Sequence, residues 1–249
     1  MASIRRPRVN ILGTEIDNLT MTEFLQSLDR GIVFTPNVDH IMRLRKDAEF
    51  REAYKLADYS TCDSMMIIFA SRFLGTPIRE KLSGSDIFPA FCNYHRHNED
   101  IRIFLAGAAE GVAKRAQEKI NRRIGRDIVI GAYSPPFGFE KSETECDRII
   151  DIVNQSGATV LAMGVGSPKQ EKWIAKYHHR FTTVRIFMGI GATIDFEAGE
   201  KPRSPKWISN LGMEWVYRLA HEPKRLWRRY LVEDSPFLWL VLLEKFKKR

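Results

Sequence analysis

TVLAMGVGSPKQEKWIAKYHHRFTTVRIFMGIG, residues 159–191, carries the unit that decides the fold. Two apolar runs, TVLAMGVG (159–166) and VRIFMGIG (184–191), predict buried strands, and the segment between them has helical spacing over about 168–180. The same alternation extends outward. VNILG (9–13), GIVFTP (31–36), IRIFLAG (101–107) and DIVIGAY (127–133) read as strands, with a further short strand ending at Cys62. Helical patterns fall at about 47–57, 63–74, 109–124 and 140–155. In the last, Ile149, Ile150 and Val153 recur at helical spacing. Strands alternating with helices predict an α/β protein: a Rossmann-like, mostly parallel sheet with helices on both faces. GEKPRSPKW (199–207) divides an α/β body, residues 1–200, from a basic helical C-terminal appendage, residues 201–249.

Composition narrows the class. In 249 residues, 44% are hydrophobic and 28% charged, an ordinary globular balance. Cys62, Cys92 and Cys146 are far apart and odd in number, which speaks against a disulfide framework or a structural zinc site and fits a reducing cytosol. MASIRRPRVNILGTEID (1–17) lacks the apolar region of a signal peptide. FLWLVLL (237–243) is far shorter than the ~20 residues of a membrane span. The expectation is a cytoplasmic protein that does not cross the membrane. The net charge of +8 is concentrated: residues 201–249 hold 12 Lys/Arg against 5 Asp/Glu, and four of the five tryptophans. Such an end suits an anionic partner surface.

Ligands of open α/β sheets bind at the carboxyl ends of the strands. Polar groups of this sequence gather there: Thr35, Pro36 and Asn37 after GIVF, Ala108 to Gly111 after FLAG, and Ser167 to Glu171 after LAMGVG. Glycine turns opening helices suit nucleotide phosphates, although GVGSPK lacks the third glycine of a dinucleotide fingerprint and is also an ordinary strand–helix turn.

Asp63 stands between a strand and an apolar helix. It reads either as a helix cap or as a general base taking a proton from an attacking hydroxyl, with Thr35 and Asn37 orienting the substrate. Gln170 and Glu171 either reach into the same crevice or sit on a solvated helix start beside Lys169 and Lys172. Asp195 and Glu197 resemble a metal-holding acidic pair, but structural or substrate contacts are the expectation. His40, His95, His97, His178 and His179 form no metal constellation. In the tail, Trp207, Leu211 and Trp215 recur every four residues as one apolar stripe. Arg218, Arg225 and either Arg228 or Arg229 share a face if the helix continues past Pro223, a grouping suited to a diphosphate. Trp239 and the terminal EKFKKR suit a lipid headgroup layer.

Together TPNVDH, REKLSGSDIFP, GVGSPKQEKWI and the long GIGATIDFEAGEKPRSPKWISNLGMEWVYRLAHEPKRLWRRYL resemble the WecB/TagA/CpsF family of bacterial glycosyltransferases. The resemblance implies inverting, metal-independent transfer, with no cofactor, from a UDP-sugar to a polyprenyl-diphosphate-linked sugar at the inner face of the plasma membrane. It implies Asp63 as base, and Thr35, Asn37 and Gln170 around the donor and reacting centre. Arg218, Arg225 and Arg228 would hold the acceptor diphosphate. Lys81, Glu171 and Asp195 complete the donor- and substrate-binding candidates, and Asp39 lies beside them. Two departures stand out: Ser64 where relatives often carry glycine, and Lys81 where they often carry arginine. The rival readings are an NAD-type oxidoreductase, whose G-x-G-x-x-G is missing, and a nucleic-acid-binding module, against which the interleaved tryptophans favour lipid. The donor sugar, the polymer pathway and any homo-oligomer stay open.

Overall fold

The computed structural model describes residues 6–247, with Lys206, Asn210 and Arg225 described by backbone alone. The chain begins with a hairpin, β1 (Arg8–Ile11) and β2 (Thr14–Asp17). It continues through α1 (Met21–Ser27), β3 (Gly31–Phe34), α2 (Val38–Leu44), α3 (Ala48–Lys55), β4 (Tyr59–Ser60), α4 (Met65–Leu74) and α5 (Gly84–Tyr94). Next come β5 (Ile103–Gly107), α6 (Val112–Ile124), β6 (Val129–Tyr133), α7 (Glu143–Ser156), β7 (Val160–Gly164), α8 (Lys169–Tyr177), β8 (Ile186–Gly189) and α9 (Thr193–Ala198). The tail holds α10 (Lys206–Asn210), α11 (Glu214–His221), α12 (Pro223–Arg228), a π-type turn Arg229–Glu233, and α13 (Pro236–Lys247).

Six strands form one parallel sheet in the order β4-β3-β8-β7-β5-β6. Its central strands are buried on both sides, as their unbroken apolar runs require. One face packs against α1, α5, α6 and α9 through Phe88, Phe91, Val112 and Ile120. The other packs against α7 and α8 through Ile149, Ile150, Val153 and Trp173. All three cysteines are buried thiols.

Three local expectations are corrected. VNILG does not join the parallel sheet: β1 pairs antiparallel with β2 across a two-residue turn, Leu12-Gly13, both at positive φ (52° and 87°). That turn matches the twist of a tight hairpin. The stripe Trp207, Leu211, Trp215 is not one helix, because α10 ends at Asn210 and Gly212, at φ 75°, turns the chain before α11. Nor does the helix run on after Pro223. Glu222 leaves the helical region (φ −133°, ψ 56°), since a residue before proline is disfavoured there, and Pro223 opens α12.

The tail packs on its own chain. Phe237 and Val241 of α13 join Ile11, Ile41, Ile67 and Ile68 in a third core, and Glu244 Oε2 accepts from Leu12 N–H at 3.1 Å.

Candidate active site

β4 is short, but the chain beyond it stays bonded alongside β3: Thr61 N–H donates to Phe34 O (3.0 Å) and Asp63 N–H to Pro36 O (2.9 Å). On its other side Leu82 N–H donates to Cys62 O (2.8 Å). Asp63 is thus pinned by backbone at the carboxyl edge of the sheet. It does not cap α4. The cap is Ser64, whose Oγ accepts from Met66 N–H at 3.2 Å, so Asp63 is spared for the cavity it lines.

Two cavities meet at this carboxylate. One, of about 330 Å³, lies between body and tail, with Asp63, Lys81, Glu214, Arg218, Arg229 and Tyr230 on its polar wall and Met65, Met66, Trp215 and Leu238 on its apolar wall. The other, of about 160 Å³, is bounded by Thr35, Gln170 and the glycine turns at Gly166 and Gly191, and shares Asn37, Asp63, Arg218, Arg229 and Tyr230 with the first. The charges around Asp63 are interlocked. Lys81 Nζ pairs with Asp86 (3.4 Å) and Glu214 (3.6 Å), and Arg218 pairs with Glu214 and Arg203 with Asp86. Burial, then the Glu214 charge, pushes the Asp63 carboxyl up to about 7 against the pull of Arg218 and Lys81. A carboxyl that titrates near neutrality and faces open space is suited to accept a proton from a substrate hydroxyl.

Asn37 caps α2, its Oδ1 accepting from His40 N–H at 3.2 Å, and the same oxygen accepts from Arg229 Nη2 at 3.2 Å. Arg229 also faces buried Asp39 (3.6 Å) and Asp234 (3.9 Å). Burial holds His40 near 3, so it is neutral, and its Nδ1 is 2.6 Å from the Tyr54 hydroxyl. Burial likewise raises Asp234 to about 7, with Arg229 opposing.

Gln170 and Glu171 are not on a solvated helix start; both are buried. Gln170 Oε1 accepts from Gly191 N–H (3.1 Å) and its Nε2 donates to Glu171 Oε1 (2.8 Å). A side chain at Gly189 would meet Gln170 Nε2 at 2.9 Å, so the brace fits only over glycine. Burial pushes Glu171 up to about 7.

Past the Gly164–Gly166 turn, the carboxyl ends of β5, β6 and β7 enclose a third cavity of about 760 Å³. Gly107, Ala108 and Gly111 there all have positive φ, and no side chain caps α6. A Cβ at Gly107 would sit 2.5 Å from the Gly164 backbone, so close approach of the two turns demands glycine. Glu110, Lys114, Tyr133, Ser134 and Lys169 supply its polar side chains, and Lys169 Nζ lies 4.9 Å from the centre of the exposed Phe137 ring.

The structure brings together Thr35, Asn37, Asp63, Lys81, Gln170 and Arg218, with Glu171 behind Gln170. Asp195 is not brought in: α9 gives the cavity Thr193 and Phe196, and Glu197 pairs with Arg123 at 2.6 Å. Arg228 points outward to Glu233 (3.4 Å), and its neighbour Arg229 enters the site instead. The side chain of Arg225 lies outside the described residues. Sequence reasoning misses Glu214 and Tyr230. The trace that Glu214 leaves in the sequence is its four-residue spacing to Arg218, the interval at which two side chains on a helix can pair.

The WecG/TagA/CpsF glycosyl transferase family matches residues 9–249. Proteins of Staphylococcus aureus strains MRSA252 and MW2, each named N-acetylglucosaminyldiphosphoundecaprenol N-acetyl-beta-D-mannosaminyltransferase, are each 26% identical over 89% of this chain and 87% of their own. The chain belongs to the WecG/TagA/CpsF family of glycosyl transferases.

Proposed function

We propose that the protein moves a hexose of the N-acetylmannosamine type from a UDP-sugar to a sugar carried on a polyprenyl diphosphate, in the synthesis of a cell-surface polysaccharide. The observation that carries this reading is the single carboxylate, Asp63, at the junction of two cavities whose shared walls are cationic. The S. aureus relatives are named for a transfer of this kind.

The donor would lie along the carboxyl edge of the sheet. Its nucleoside diphosphate occupies the glycine-walled cavity at β5, β6 and β7, where backbone N–H groups and Lys114 and Lys169 face it. Its sugar reaches past Gly166 into the 160 Å³ cavity. The acceptor sugar enters the 330 Å³ cavity. Its hydroxyl oxygen attacks the anomeric carbon as Asp63 takes the proton, and the bond from that carbon to the diphosphate oxygen breaks. UDP departs with the electron pair, and the anomeric centre inverts because one displacement occurs from the face opposite the leaving group. Arg218 and Arg229 offset the charge that develops, a role that needs no metal ion. No described helix is long and apolar enough to cross a membrane, and the basic tail would hold the enzyme on the inner face of the plasma membrane.

The test is transfer in the presence of chelator, from a panel of UDP-sugars to a short-chain polyprenyl-diphosphate-linked N-acetylglucosamine. One donor should give product, and Asp63→Asn should lower kcat about 10²- to 10⁴-fold, the span of general-base catalysis. Full activity in a folded Asp63→Asn protein would refute the assignment.

A further inference from the structure

α4 is apolar nearly all round. Of MMIIFASRFL only Ser71 and Arg72 are polar, and Ser71 is buried, donating to Ile68 O at 2.7 Å. A helix of that composition belongs in a core or a membrane. Yet α4 buries only one side, through Ile67, Ile68, Ala70 and Leu74, while Phe69 and Phe73 are 40% and 49% exposed. They are four residues apart and so project from one face.

The surroundings of this face are of the same kind. α13 packs beside α4 and presents Leu238, Trp239, Leu243 and Phe246 to solvent, and Lys245 Nζ lies 5.5 Å from the centre of the Phe73 ring. The backbone at Gly212 passes over Phe69, where a Cβ would meet the ring at 3.0 Å, and the flanking Leu211 and Met213 are exposed. Trp215 and Leu238 belong both to this exposed surface and to the apolar wall of the 330 Å³ cavity. Cations edge the patch: Arg72 is exposed on α4, and Lys245 and Lys247 end α13.

We propose that the body helix α4, through Phe69 and Phe73, forms one continuous bilayer-contacting face with α13 and the Leu211–Met213 turn, and that the acceptor cavity opens from this face. The inference rests on the function proposed above and adds that membrane contact is shared by the body rather than confined to the tail. Charge selects the occupant. The +7 of residues 201–249 complements an anionic lipid surface, whereas two copies of this chain would bring like charge together. Large apolar rings among lysines and arginines are the composition of a headgroup layer. An acceptor whose lipid chain stays in the bilayer then enters sideways, its diphosphate at headgroup level and its sugar toward Asp63.

The test compares the full-length protein with Phe69→Ser/Phe73→Ser. It measures sedimentation with phosphatidylcholine vesicles containing about 30% phosphatidylglycerol. Partitioning should fall about tenfold or more in the double variant. Its melting temperature and its transfer to a short water-soluble acceptor should stay unchanged, while KM for a long-chain acceptor in vesicles rises. Unchanged partitioning would overturn the proposal. So would loss of short-acceptor transfer, or a wild-type dimer in sedimentation velocity that the variant alone dissolves without a change in vesicle binding. If wild type itself ignores vesicles while transferring to the short acceptor, the membrane reading fails and the transferase reading survives. A second measurement avoids any folding defect: because the native cysteines are buried, a nitroxide on Phe73→Cys reports its own surroundings. On adding vesicles it should gain oxygen accessibility and lose accessibility to a water-soluble nickel chelate. The opposite change would place α4 in water and refute the shared face.

Discussion

At the β4–β3–β8 end of the sheet the crevice is walled by charged side chains drawn from distant parts of the chain: Asp63, Lys81, Arg218 and Arg229. At the β7–β5–β6 end it is walled by Ala108, Ala109, Gly111 and Gly164, with the charged Glu110, Lys114 and Lys169 among them. The first region holds charges in a half-buried place, where each depends on its neighbours and a single deletion is felt by all of them. The second relies on backbone geometry, where the side chain to protect is the one that is missing. Substitutions should therefore act on rate and pH profile at one end and on shape at the other.

The loss of Asp63 described above is the largest effect expected on rate. It has a converse in stability. A carboxyl raised from 3.8 to about 7 keeps its proton in the folded state over that interval and releases it in the unfolded one. The folded state is therefore relatively favoured at low pH, and that advantage is lost as pH rises toward 7. Asp63→Asn should melt progressively higher than wild type as pH is raised from about 4 to about 7, and the gap should then level off. A gap independent of pH in thermal denaturation would contradict the raised carboxyl.

The glycine-walled end is probed by Gly164→Ala. The new Cβ would meet Gly191 O at 2.6 Å and Ile194 Cδ1 at 2.8 Å. Overpacking of this sort costs about 1–3 kcal/mol, to be read by denaturant melts, and it should weaken nucleotide binding while leaving the acidic limb of the pH profile where it was. If the limb moved instead, the two ends would not be separable in this way.

Smaller again is the contrast between neighbouring arginines. Arg229→Ala removes a partner of Asn37, Asp39 and Asp234 and should cost roughly ten- to a hundredfold in kcat/KM, of the order of a lost hydrogen bond to a charged group. Arg228→Ala touches an exposed pair with Glu233 and should stay within about twofold. Steady-state kinetics that ranked them the other way would turn the tail's face around.

These arginines also mark where the sequence stops being legible. The parallel sheet is readable because long apolar runs and helical periods alternate without interruption. The place of Asp63 is readable because a residue between a strand and an apolar helix falls at the carboxyl edge of the sheet, whereas its spacing fits a helix cap as well as a base. Choosing between Arg228 and Arg229 requires the rotation of the chain about its axis. That rotation is reset twice, by the non-helical Glu222 before Pro223 and by the π-type turn Arg229–Glu233. The hairpin misleads for a related reason: VNILG is as apolar as a sheet strand, and only the Leu12-Gly13 turn decides its partner. Beyond its spacing to Arg218, the place of Glu214 is not legible in the sequence, because its importance lies in Lys81 and Asp63, which are far away along the chain and meet it only in the fold.

Glu214 gives the finest test of the charged end. Its charge is the largest contribution after burial to the raised Asp63 carboxyl, and it also engages Lys81 and Arg218, the two cations that pull the other way. Glu214→Gln therefore acts twice in the same direction: it removes a repulsion and frees two attractions. The acidic limb of kcat/KM, expected near pH 7 in wild type, should move to lower pH. The base becomes weaker as it becomes easier to ionise, so the plateau at high pH should fall slightly while activity below the wild-type limb rises. Arg218→Gln should move the limb the opposite way, because it takes away a cation that favours the ionised carboxylate. Limbs that stay fixed in both variants would assign the titration to a group other than Asp63, and Glu171, also raised to about 7 and buried beside Gln170, would be the next to replace.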